Sequence, residues 1–101
     1  MANNVIQKIL DRLELEETGT YDNGFYVITF SDSNEYARAY TKLSKNAINT
    51  EFPNFGTNTN DTTVKITNYF ELDEDNKTYL LFLIADFDND TYTLRIGELK
   101  Q

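Results

Sequence analysis

The stretch Val64–Ile96, VKITNYFELDEDNKTYLLFLIADFDNDTYTLRI, decides the fold of this 101-residue chain. Val64, Ile66, Phe70 and Leu72 share a period of two. So do Tyr79, Leu81, Leu83, Ala85 and Phe87, and then Tyr92, Leu94 and Ile96. Such alternation marks strands with one buried face. The connections Asp73-Glu-Asp-Asn76 and Asn89-Asp90 are rich in Asn and Asp, which tolerate the positive φ of tight turns. A two-residue loop at 89–90 opposes Phe87 to Tyr92, Ala85 to Leu94 and Leu83 to Ile96. A four-residue loop at 73–76 opposes Phe70 to Tyr79, Ile66 to Leu83 and Val64 to Ala85. All these residues then share one face, and a slip of one residue would scatter them. The expectation is a three-stranded antiparallel meander.

The same register gives the middle strand a second apolar row, Leu80, Phe82 and Ile84, flanked by Tyr69 and Leu99. Gly97 is expected opposite Phe82, leaving room for its ring. A sheet with one covered face shows polar residues at such positions. Two readings follow. With two amphipathic helices available, the favoured expectation is one helix on each face, so that both faces are core. The rival leaves this row exposed as a partner surface or homodimer interface.

Upstream of the meander, Val5, Ile6, Ile9, Leu10 and Leu13 fall at helical spacing, predicting a helix over Asn4–Leu15 capped by Asn3 or Asn4, with Gly19 beyond its end. Phe25–Phe30, FYVITF, reads as a strand whose place in the sheet is open. Asp32 and Glu35 fit a capping box, and Tyr36, Tyr40 and Leu43 form a stripe, predicting a helix over Ser33–Asn46. Ala47–Phe52 reads as a short strand and Pro53–Asp61 as a loop. The fold class is α+β: a single domain, residues 1–101, of two helices packed on an antiparallel sheet with a C-terminal three-stranded meander.

Composition removes several chemistries. The chain has no His and no Cys. A Ser-His-Asp triad, a thiolate nucleophile, a Cys-ligated metal and an imidazole ligand are therefore impossible. Nine Lys and Arg against seventeen Asp and Glu give a net charge of −8. That balance argues against direct nucleic-acid binding and against anionic membrane surfaces. Tyr79–Ala85, the longest apolar run, is far short of the ~20 residues of a membrane helix. Met1–Leu15 is amphipathic, unlike a signal-peptide core. The expected location is cytoplasmic.

Two acidic clusters stand out. Asp73, Glu74 and Asp75, with Glu71, lie at the first hairpin turn; Asp86, Asp88 and Asp90 lie at the second. Successive turns of a meander sit at opposite ends of the sheet, about 30 Å apart for nine residues at ~3.4 Å each. Asp86-Phe-Asp88-Asn-Asp90 also opens like an EF-hand calcium loop. The match fails at Thr91, where Gly is required, and at Gly97, where Glu is required, and its flanks alternate as strands. No metal and no cofactor are expected. No pair of carboxylates is placed for acid–base work, no Ser has an activating base, and the glycines are isolated, so no enzyme is expected. Three Asn-x-Thr strings, at Asn60, Asn76 and Asn89, read as chance matches in an Asn- and Thr-rich chain.

In size and bulk composition alone, the chain resembles inhibitors of bacteriophages and mobile elements, including anti-CRISPR proteins, and nuclease-immunity proteins. The resemblance implies a non-enzymatic partner that covers a basic nucleic-acid-binding surface, and transfers no residue. The candidate partner-binding residues are therefore the six turn acids Asp73, Glu74, Asp75, Asp86, Asp88 and Asp90, and the apolar row Tyr69, Leu80, Phe82 and Ile84. The partner is expected to be another protein with a basic surface; the alternative is self-association through the apolar sheet face.

Overall fold

The computed structural model describes residues 4–16, 18–46, 49–51, 57–58, 64–87 and 89–99. They form helix α1 (Asn4–Arg12), strands β1 (Thr20–Asp22) and β2 (Phe25–Phe30), helix α2 (Ser33–Asn46), then β3 (Asn49–Glu51), β4 (Thr57–Asn58), β5 (Val64–Glu74), β6 (Lys77–Asp86) and β7 (Thr91–Glu98). The fold is α+β. The sheet is antiparallel, in the order β1-β2-β7-β6-β5-β3, with β4 beside β3 on the outer edge of β5. The meander is thus its centre, and β2 takes its place against β7.

The meander's two loop lengths are exchanged relative to expectation. Glu74 pairs with Lys77 and Leu72 with Tyr79, so the first turn has two residues, Asp75 and Asn76. Both have positive φ, 53° and 64°, the two left-handed residues of a type I′ turn. Asp86 pairs with Thr91 and Ala85 with Tyr92, so the second connection spans residues 87–90. The Asp86 carboxylate accepts from the backbone N–H of Asn89 at 3.2 Å, and Asp90 turns the chain with φ 55°. An Asx-type bond of this kind competes with strand pairing and lengthens the loop. Each pairing moves by two residues, an even number, so every side chain keeps its expected face. Gly97 consequently lies opposite Leu80, and Phe82 lies opposite Arg95.

The front face holds the core. Tyr26, Ile28 and Phe30 of β2, Phe70 and Leu72 of β5, Tyr79, Leu81, Leu83 and Ala85 of β6, and Tyr92, Leu94 and Ile96 of β7 are buried in one cluster. Ile6, Ile9, Leu10 and Leu13 from the first helical segment, and Ala39 and Leu43 from α2, belong to the same cluster. Rings tie α2 down: Tyr40 meets Phe70 at 5.9 Å between centroids and Tyr36 meets Tyr92 at 5.4 Å. Asn68, the one buried polar residue of the described set, donates to the Tyr36 hydroxyl at 3.0 Å.

Both helices therefore lie on the front, which overturns the expectation of one on each side. A helix's apolar stripe requires burial but does not say against which face. Here the aromatic front positions supply a surface large enough for both stripes. α2 passes across β2, β7, β6 and β5, while α1 lies on β5.

Three local differences remain. α1 ends at Arg12, short of Leu15, because Glu14 turns left-handed at φ 55°. The Leu15 and Glu14 N–H groups then reach the Leu10 and Asp11 carbonyls at 2.9 and 3.1 Å, the paired bonds of a Schellman motif. Gly19 does not cap the helix. Its N–H donates to the Tyr26 hydroxyl at 2.7 Å, and a Cβ there would strike the Val27 backbone. α2 spans the expected residues. Asp32 accepts from the Glu35 N–H at 2.9 Å, as an N-cap does, and the Glu35 carboxylate accepts from the Ser31 hydroxyl. β1, unforeseen, forms a hairpin with β2 through Asn23-Gly24. Of the short strand expected over 47–52, residues 49–51 form β3. Within the expected loop over 53–61, residues 57–58 form β4. The rest of both segments, and Asn3, lie outside the described residues.

Candidate functional site

The back of the sheet is built by the residues that alternate with the core. Its rows can be read across the strands. One runs Asp22, Phe25, Gly97, Leu80, Glu71; the next runs Thr20, Val27, Arg95, Phe82, Tyr69; a third runs Thr29, Thr93, Ile84, Thr67. Phe25, Val27, Tyr69, Leu80, Phe82 and Ile84 are each partly exposed, and among the described residues no helix packs over them. Leu99 continues this face past the end of β7 and is 40% exposed. Its N–H donates to the Thr78 carbonyl at 2.8 Å, which extends the β6–β7 pairing by one residue.

The face is organised around Phe82. Its ring lies 5.3 Å from Tyr69 and 6.1 Å, edge to face, from Phe25. Phe25 leans over Gly97, where a Cβ would lie 2.5 Å from the ring. Arg95 sits over Phe25 at 5.1 Å and pairs with Asp22 at 3.5 Å. A guanidinium over a ring, beside a carboxylate, keeps its charge compensated within an apolar surround. The four expected residues Tyr69, Leu80, Phe82 and Ile84 are thus brought together. Phe25, Val27 and Arg95 complete the patch, and the sequence reading does not find them. Phe25 and Val27 are apolar on the parity opposite Tyr26, Ile28 and Phe30, which is the available signal, but only the β2–β7 pairing joins them to Phe82.

The acidic turns lie at opposite ends of β6. They do not form one site. At the first, Lys8 donates to both Asp75 oxygens at 3.1 Å, and Arg12 donates to the Asp73 carbonyl at 2.7 Å and to the Glu74 carboxylate at 3.1 Å. Asp73 accepts from the Thr78 hydroxyl at 2.8 Å. This cluster anchors α1, and two bases beside it offset much of its field. At the second turn, Asp86 accepts from Asn89 through backbone and side chain, and Asp90 accepts from the Tyr92 hydroxyl at 3.3 Å. Asp88 lies outside the described residues.

No group of three or more metal-ligating side chains is assembled among the described residues. The EF-hand-like string runs from a strand end into strand β7. A small cleft of about 100 Å³, lined by Glu14, Leu15, Glu16, Glu35 and Arg38, opens between the end of α1 and α2. Lys42 pairs with Glu14, one of the lining residues. Three tyrosines titrate high. Burial raises Tyr36, against a smaller opposing effect of the Asn68 hydrogen bond. Burial also leads for Tyr79, with Glu98 adding to it, and for Tyr92, with Asp90 adding to it. Among the described residues, no helix is long and apolar enough to cross a membrane. Comparison with protein-family models, with curated proteins and with solved structures finds no match, so the reading of function rests on the geometry of this face.

Proposed function

We propose that the chain is a non-enzymatic binding module that acts by occupying the surface of another protein, an inhibitor of the anti-defence or nuclease-immunity type whose target carries a basic nucleic-acid-binding surface. The observation that carries this reading is the apolar sheet face left uncovered by both helices. Strand positions facing water are ordinarily polar, and contiguous apolar patches on a folded domain mark interaction sites. Phe, Tyr and Arg at the patch centre are residue types that anchor interfaces. The net charge of −8 supports a basic target by steering association.

The test uses Phe82→Glu, which places a charge at the centre of the patch without touching the core. Wild-type and variant chains are used as baits in lysate at low and high salt. The expected result is one protein enriched by the wild type, lost with the variant at unchanged far-ultraviolet circular dichroism, and reduced by salt. A target captured equally by both baits would reject the assigned face. Recovery of bait alone, with a wild-type dimer and a monomeric variant on light scattering, would favour self-association.

A further inference from the structure

The tip of the β1–β2 hairpin carries a chemistry of its own. Asn23-Gly24 is the only Asn-Gly pair in the chain, and no Asp-Gly pair occurs. The two residues form the turn with φ 52° and 86°, both left-handed, as a type I′ hairpin requires. Both are exposed, and a Cβ built on Gly24 would meet nothing within 4 Å, so water and hydroxide reach the Gly24 N–H. Gly24 also lacks the side chain that would crowd the approach of its amide nitrogen to the Asn23 Cγ. No hydrogen bond to the described residues holds the Asn23 carboxamide, whereas those of Asn46, Asn68 and Asn89 are bonded.

We infer that Asn23 is a site of spontaneous modification: it deamidates to aspartate and isoaspartate, and the isoaspartate product releases β1 from the sheet. The Gly24 amide gives its proton to hydroxide and its nitrogen attacks the Asn23 Cγ. The new N–Cγ bond closes a cyclic imide, and ammonia leaves. Water then opens the ring. Addition at Cγ breaks the new bond and gives aspartate. Addition at the Asn23 main-chain carbonyl carbon breaks its bond to Gly24 and gives isoaspartate. On either route the nitrogen regains its proton. The sum exchanges water for ammonia, nothing is oxidised or reduced, and water is the only co-reactant.

The fold gates the first step. The imide holds the Asn23 ψ away from the left-handed turn, so the hairpin opens before the ring closes. Opening costs little, since β1 is a three-residue strand, exposed throughout, at the end of the strand order. Isoaspartate then lengthens the backbone by one carbon between Asp22 and Phe25, and a type I′ turn is built from two α-linked residues. Release of β1 takes Asp22 from Arg95, leaving the guanidinium over Phe25 without that carboxylate, and opens the β2 edge from Phe25 to Val27. This change in the back face holds whatever the face binds.

The experiment incubates the purified chain at physiological temperature, at neutral and mildly alkaline pH, beside an Asn23→Gly chain. Gly-Gly suits the same turn and has no carboxamide to lose. Peptide mass mapping follows the exchange of NH2 for OH at every asparagine, an isoaspartyl methyltransferase counts isoaspartate, and amide hydrogen exchange of the separated products reports on β1. The expected result is conversion at Asn23 before any other asparagine, faster at the higher pH, with no isoaspartate in the Asn23→Gly chain over the same period. The isoaspartate product should lose exchange protection across Thr20–Asp22 and keep it across the β2–β7 pairing. The aspartate product and a freshly made Asn23→Asp chain should keep both, because Asp-Gly preserves the α-linked turn. An Asn23 that stays an amide, or converts no faster than the other asparagines, would overturn the site. An isoaspartate chain with β1 protected as in the starting chain, or equal loss of protection in Asn23→Asp, would overturn the release.

Discussion

Replacing Gly97 with Ala tests how the back face is held. Gly97 does not have positive φ, so its use is steric and not conformational. An added Cβ would lie 2.5 and 2.7 Å from two Phe25 ring carbons, about 1 Å inside ordinary contact. The ring must swing away. It then loses its edge-to-face contact with Phe82, worth about 0.5–1.5 kcal/mol. It also loses the Arg95 guanidinium, worth about 0.5–1 kcal/mol at a half-exposed position. Ala returns about 0.4–1 kcal/mol by restricting the unfolded chain. The net expectation is a loss of about 1 kcal/mol, or about 4–8 °C in Tm for a domain of this size. In a Phe25→Ala background the clash is gone, and Gly97→Ala should stabilise by about 0.5 kcal/mol. The double-mutant cycle, read by urea unfolding with m held constant, should give a coupling of about 1.5 kcal/mol. A coupling below about 0.3 kcal/mol, or a stabilising Gly97→Ala in the wild-type chain, would refute the packing of Phe25 over Gly97.

Two further outcomes are expected. Tyr36, Tyr79 and Tyr92 hold their protons more tightly folded than unfolded. Above about pH 10 the unfolded chain therefore binds fewer protons than the folded one, and stability should fall as pH rises from there through the raised values. Absorbance titration of the phenolates with parallel urea melts checks this, and a stability that rose between about pH 10 and 11 would contradict it. Arg12→Ala should cost about 1 kcal/mol by losing a carbonyl bond and an ion pair, whereas Lys8→Ala, at an exposed pair, should stay within about 0.5 kcal/mol. Thermal melts at two salt concentrations separate them, and equal losses would show that α1 is not anchored through Arg12.

The strands of the meander and the span of α2 are legible in the sequence because period-two and helical stripes report burial directly. Loop lengths are not, because Asp75-Asn76 and Asn89-Asp90 are nearly the same turn chemistry; what separates them is whether a side chain such as Asp86 captures the next backbone N–H. β1 is hidden in Thr-Tyr-Asp, three exposed residues without an apolar alternation, although Asn23-Gly24 beside it is a strong hairpin signal. The row Leu80, Phe82, Ile84 is visible in one strand. Its exposure is not, since that depends on which face receives the helices. The turn acids are visible as a cluster, but only tertiary structure shows that Glu74 and Asp75 hold α1.

The pairing of β2 with β7 also sets an order of events. Tyr26 lies beside Ile96 and Phe30 beside Tyr92, so this seam joins residues more than about sixty positions apart. Closing such a loop costs on the order of 3–4 kcal/mol of chain entropy before any contact repays it. The meander closes through short turns and needs no such search. During synthesis, then, α1, β2 and α2 leave the ribosome first with no sheet to receive their apolar stripes, and they wait for the last strand. The N-terminal half is consequently the part that a chaperone or a protease would meet unfolded, and the final eight-residue strand is the latch whose arrival ends that exposure.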